Sequence, residues 1–170
     1  MNDLSYLFFQ LAGMLLSYLA PFLILILIVY ILSAIALYRM ATKFHYPYAW
    51  LAWIPLANTY LMFILPIKKY KILAIDKEFE RSNAFWIYVG CVVGCMILCF
   101  IPIINMLAGV ASIVVMIFFQ YPLMKDLYAL FVDDSTAKTY AILSLVIPGS
   151  VVVFLLIMAG KEPRELTTDV

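Results

Sequence analysis

The chain is poor in charge. Of its 170 residues only 12% are Asp, Glu, Lys or Arg, about half the share found in soluble domains. The few charges balance, 11 Lys and Arg against 10 Asp and Glu, which excludes a basic footprint for nucleic acid. A single histidine excludes a bis-histidine haem site within one chain and a zinc site of the H-E-x-x-H kind. The composition excludes a disulfide-stapled secreted scaffold, and the three cysteines lack the C-x-x-C spacing of a redox or metal site. The nucleophile elbow, the P-loop and the dinucleotide fingerprint are all missing. No catalytic, cofactor-binding or metal-ligating residue is assigned on these grounds, and no cofactor is expected. The start, Met1-Asn2-Asp3, lacks a basic stretch, so a cleavable signal peptide is not expected either.

What the chain has is apolar surface. Apolar, aromatic and Cys residues make up 67% of it, and the mean hydropathy is +1.07. A soluble domain of this size keeps too much of its surface wet to bury so much. The lipid bilayer is therefore the expected surroundings, and the expected fold is all-α: a polytopic helical membrane protein of four to five membrane segments.

Uncharged runs place the segments. Residues 4–38, 82–124 and 139–160 carry no charge, and 44–67 contain only His45 as an ionisable group. Crossing the ~30 Å hydrocarbon core takes ~20 apolar residues in a helix. Pro21 divides the first run into an apolar helix at 4–20 and a crossing helix at 21–40. The first piece either extends the same kinked helix, lies at the interface or crosses alone. The run 82–124 predicts a hairpin, with helices at 84–100 and 104–121 turning at Ile101-Pro102-Ile103-Ile104-Asn105, because Pro disfavours helix before it and removes a donor. A final span is expected at 140–160, kinked at Pro148-Gly149-Ser150. Asp133-Asp134-Ser135-Thr136 reads as a helix N-terminus before it.

Segment 46–66 is broken at Pro55 into halves too short to cross alone, and Tyr46, Tyr48, Trp50 and Trp53 crowd its start at headgroup level. It re-enters or crosses. Re-entry leaves nine Lys and Arg on one side against two on the other, whereas crossing leaves seven against four. The positive-inside rule prefers re-entry. Loops 39–45, 67–83 and 124–139 are then expected in the cytoplasm, and the C-terminal tail 161–170 outside.

Ile54-Pro55-Leu56-Ala57-Asn58 and Ile101-Pro102-Ile103-Ile104-Asn105 share the pattern I-P-x-x-N, and Ile147-Pro148 repeats its first half. Each Pro frees a carbonyl one turn earlier, to which a nearby Asn can donate. Together with Tyr38-Arg39-Met40-Ala41-Thr42-Lys43 and the Trp-containing Ala49-Trp50-Leu51-Ala52-Trp53, these motifs resemble a group of small uncharacterised bacterial integral membrane proteins with repeated I-P-x-x-N motifs. The resemblance covers about residues 25–160. It implies the same architecture and a bacterial cytoplasmic membrane, and it implies no activity. The charged insert from Lys68 to Arg81 is longer than that group's pattern.

Several constellations remain. Gly90 and Gly94 form G-x-x-x-G, and Ala108 and Ser112 a small-x-x-x-small pair, both helix-packing faces within the hairpin or between copies. Asn58 and Asn105 either repair the Pro breaks or line a polar path. Cys91, Cys95 and Cys99 share one helical face, as packing residues or as a thiol site. His45 lies beside Lys43 at the interface. Lys68, Lys69 and Lys71 form a juxtamembrane cluster suited to anionic lipid or to a partner. Ile72, Leu73, Ile75 and Phe79 can share one face, which predicts an amphipathic interface helix there. Apart from Arg39 at the very end of the first, the predicted spans hold no Asp, Glu, Lys or Arg, which argues against a proton-coupled pump or voltage sensor. The expectation is a non-enzymatic accessory, immunity or assembly partner of another membrane protein, with Gly90, Gly94 and loop 68–81 carrying the contacts. The alternative is a small homo-oligomeric channel or transporter for a neutral solute, and a third reading is a membrane thiol enzyme.

Overall fold

A computed structural model describes residues 3–66, 69–72, 78–101, 105–147 and 149–164. The fold is all-α, with three helices long and apolar enough to cross a membrane. The first of them, α1, runs unbroken from Asp3 to Lys43 with Pro21 inside it. Of the three arrangements open for residues 4–20, the structure takes the first: they extend the crossing helix. At ~1.5 Å per residue its 41 residues reach about 60 Å, twice the hydrocarbon thickness. The helix closes on Ala41, Thr42, His45 and Tyr46. The Tyr46 amide donates to the Ala41 carbonyl and the His45 amide to Thr42, both at 3.0 Å, and His45 takes the left-handed conformation (φ 54°) that this terminator requires.

Segment 46–66 turns back. A short 3-10 helix, Ala49–Trp53, runs along α1, and the Tyr30 hydroxyl donates to the Trp53 carbonyl at 2.6 Å. Tyr30 precedes Lys43 by thirteen residues, so the break lies about 20 Å up α1 from its C-terminal end. Pro55 then opens α2, Pro55–Ile64, where its missing donor costs nothing. The helix returns to the charged end, where the Phe63 carbonyl accepts from Arg81 Nη1 at 3.2 Å.

Helices α3, Arg81–Cys99, and α4, Asn105–Ala129, form the expected hairpin. They turn through Phe100 and Ile101; Pro102, Ile103 and Ile104 lie outside the described residues. About 28 Å and 37 Å long, both match a bilayer crossing. The expected loop 124–139 is shorter than its charges suggested. α4 continues through Pro122 to Ala129, and α5, Asp134–Val146, begins five residues later.

The final span at 140–160 is also corrected. It consists of the second half of α5 and α6, Ser150–Gly160, folded against each other about Ile147 and Gly149; Pro148 lies outside the described residues. Gly149 is at φ 85°, a conformation costly for any residue with a Cβ. Tyr140 and Phe154 stack at 4.5 Å, which fixes the two halves antiparallel. At about 20 Å and 16 Å neither crosses alone. α6 ends beside the end of α1: Lys43 Nζ donates to the Lys161 carbonyl at 2.6 Å and lies 3.4 Å from Glu162. The Arg164 amide reaches the Leu130 carbonyl at 2.8 Å. The charge count sets 161–170 opposite 39–45 and 124–139. The structure joins residues 161–164 to both loops; 165–170 lie outside the described residues.

The expected amphipathic helix is replaced by a β-pair. β1, Tyr70–Lys71, runs antiparallel to β2, Glu78–Phe79, with Tyr70 opposite Phe79. Residues 73–77 lie outside the described residues. Tyr70 and Ile72 are buried and Lys71 between them is exposed, the two-residue period of a strand.

The core lies in the half of the molecule near the charged end. Ala36, Leu37, Met40 and Ala41 of α1 pack with Ala52, Leu61, Leu127, Ala137, Ala141, Leu155 and Met158, all but fully buried. Alanines at these positions let helices approach closely, which in lipid is where packing energy arises. A second cluster, Phe63, Tyr70, Phe85, Phe119 and Leu123, joins the β-pair to the hairpin. Beyond it, α1 from Tyr6 to Val29 is exposed at every residue but Ala20.

Candidate functional site at the charged end

All nine described Lys and Arg residues gather at one end, within about one helical turn of the ends of α1, α4, α5 and α6, at the start of α3, or in and just before β1. At its centre is Arg81, the first residue of α3. Its Nη2 lies 2.7 Å from Asp126 Oδ2 and its side chain is only 7% exposed. Its guanidinium sits 5.8 Å from the centre of the Tyr70 ring. The Tyr70 hydroxyl donates to the Phe119 carbonyl at 2.6 Å. Burial, followed by the nearby Asp126 carboxylate, pushes the Tyr70 phenol well above its ordinary range, so it remains a donor. Together these contacts tie α2, the β-pair, α3 and α4 into one unit.

The sequence reading missed this pair. Its signal was the hairpin register. Two antiparallel helices turning near residue 103 set Arg81 opposite Lys125 and Asp126, at the two ends of the uncharged run 82–124.

On the other side of α4, Asp134 bridges two lysines, with Lys125 Nζ at 3.4 Å and Lys138 Nζ at 2.7 Å. The hydrogen bond from Lys138, with Lys125 near, lowers the Asp134 carboxyl, and the same bond raises Lys138. Asp133 caps α5 by accepting from the Thr136 amide at 2.9 Å, and the Ser135 hydroxyl donates to it as well. Those bonds, Ser135 first, hold its carboxyl far below the usual carboxylate range. The expected helix start is therefore met by a working cap.

The predicted site residues are dispersed. Asn58 is buried, and its Nδ2 donates to the Ala52 carbonyl at 2.9 Å, across the Pro55 break. Asn105 is exposed at the start of α4, on the far side of the hairpin. The two Asn residues do not converge on one path. At the third break Ser150 does the work of Asn58, its Oγ donating to the carbonyls of Leu143 at 3.0 Å and Ile147 at 2.8 Å.

A Cβ on Gly90 or Gly94 would meet nothing within 4 Å, so no described helix closes onto the G-x-x-x-G face. Ala108 is buried, and the Ser112 hydroxyl donates to the Ala108 carbonyl within α4 while lining a cleft with Tyr88 and Cys95. Cys91 and Cys95 are half-buried and Cys99 is exposed, all as free thiols. Lys69 pairs with Glu78 at 3.5 Å across the β-pair, Lys71 is exposed, and Lys68 lies outside the described residues. Among the described residues no cluster of three or more His, Cys, Asp and Glu is placed to hold a metal.

No protein-family model matches the chain, and neither a curated protein nor a solved structure shows similarity to it.

Proposed function

We propose that this chain is a non-enzymatic membrane protein that works by assembly, as an accessory or assembly partner of another membrane protein. The carrying observation is α1. Its N-terminal 23 described positions from Tyr6 to Ile28 touch little of the chain's own core, and the helix is about twice the hydrocarbon thickness. Tilt within the ordinary range of ~0–40° does not absorb that excess. The residues before Pro21, most of them apolar, therefore need a cover that the rest of the chain does not supply. A helix of another membrane protein provides it, and the open Gly90 and Gly94 face of α3 offers a second close contact.

Orientation follows from charge. With every described Lys and Arg at one end, the positive-inside rule puts that end in the cytoplasm, together with residues 161–164. The membrane would be the bacterial cytoplasmic membrane, as the resemblance of the I-P-x-x-N motifs implies. Three helices then cross, and the 46–66 and 134–160 segments enter from the cytoplasmic side and return.

Native mass spectrometry of the protein, extracted gently from its own membranes, tests the reading. A stoichiometric complex with a different membrane protein, lost on deleting residues 3–20 and weakened by Gly94→Leu, is the expected result. A monomer that is indifferent to both changes would refute it.

A further inference from the structure

A groove of about 430 Å³ runs between α4 and α5, lined by Ile113, Met116, Ile117, Tyr121, Ile142 and Val146 among others. Its walls are almost wholly apolar, and Tyr121 supplies the one polar side chain. Along α4 it spans Ile113 to Tyr121, about 12 Å, close to the ~15 Å depth of one leaflet. The groove has a polar end. One turn after Tyr121 comes Lys125, and one turn before Ile142 comes Lys138, both held by Asp134. That trio carries one net positive charge. Each ammonium has three donors and gives one to Asp134, so donors remain for a second acceptor.

We infer that this groove binds a single anionic phospholipid of the leaflet at the charged end. One acyl chain lies against Ile117 and Ile142, and the headgroup phosphate meets Lys125 and Lys138 beside the Tyr121 hydroxyl. The charge selects an anionic over a zwitterionic headgroup, and basic pockets between helices at a membrane surface take such lipids. The inference rests on the membrane reading and is independent of any protein partner, because the groove lies on α4 and α5 and away from residues 3–20.

The test is native mass spectrometry of the full chain in mixed micelles holding equal dioleoylphosphatidylglycerol and dioleoylphosphatidylcholine. The expected result is one retained lipid, with the glycerol form enriched about fivefold, what one net cation near the headgroups supplies. Lys125→Gln with Lys138→Gln leaves the Asp134 carboxylate without its cations and brings the ratio to unity or below. Ile117→Trp fills the groove and lowers retention of both lipids without touching the charges. It also keeps the test open if the lysine double variant does not fold. Soluble glycerol phosphate does not displace the bound lipid. Equal retention of the two lipids by the unaltered protein, undiminished retention in Ile117→Trp, or displacement by glycerol phosphate would each overturn the inference.

Discussion

The two ends of the α3–α4 hairpin are held on different terms. At the charged end Arg81 meets Asp126, the Tyr70 ring and the Phe63 carbonyl, with its side chain buried. At the far end Phe100 and Met106 are 86% and 88% exposed, and Asn105 stands in the open. The break at Pro55 belongs with the first end in character, because the Asn58 amide is spent on the Ala52 carbonyl inside the core. One motif, I-P-x-x-N, thus serves two purposes. Where the chain turns back within the molecule its Asn is a buried repair, and where the turn lies at the far edge the Asn needs no partner. Cohesion within the chain lies near the charged end, and the far half relies on whatever surrounds it.

Substitutions at the two ends should rank accordingly, read as shifts in SDS-titrated unfolding in micelles followed by tryptophan fluorescence. The largest effect is expected for Arg81→Met, which leaves Asp126 without its partner. It should cost about 3 kcal/mol, the low end for a broken buried pair because Asp126 keeps some exposure. Asn58→Leu should cost about 1–3 kcal/mol by leaving the Ala52 carbonyl unpaired at a buried site. Ser150→Ala removes a partly buried donor shared by two carbonyls and should cost about 0.5–1.5 kcal/mol. Asn105→Leu, the same change as at Asn58 in the same motif, should stay within about 0.5 kcal/mol. Equal effects at Asn58 and Asn105 would erase the difference between the two ends.

Much of this was legible in the sequence. Long uncharged runs and a central Pro were enough to place α3, α4 and their turn, and Asp133-Asp134-Ser135-Thr136 announced the start of α5. The direction of the chain after a Pro break was harder to read. An apolar segment interrupted by Pro has the same composition whether it crosses or folds back. For 46–66, counting charges favoured re-entry. For 140–160, the absence of charge between Thr139 and Gly160 looked like a span, and only the stacking of Tyr140 on Phe154 and the reach of Lys43 to Lys161 show the fold-back. The stretch after Lys69 failed for another reason. Ile72, Leu73, Ile75 and Phe79 fit a helical face, but the same stretch begins with a two-residue alternation, Tyr70 and Ile72 buried about exposed Lys71, and the strand follows that alternation. The glycines misled in a third way. G-x-x-x-G marks a face capable of close packing, while the contacts inside this chain are made by alanines of α1, α5 and α6.

The central claim is that both broken segments return to the end they left. Single cysteines test it most directly, in a background with Cys91, Cys95 and Cys99 replaced by Ala. His45→Cys, Glu78→Cys and Glu162→Cys report on the charged end, and Asn105→Cys on the far turn. With a membrane-impermeant maleimide on intact cells, the account predicts labelling of Asn105→Cys alone, and labelling of the other three together once the membrane is opened. Labelling of Glu162→Cys from outside while Glu78→Cys stays protected would show that 134–160 crosses, and would contradict the account.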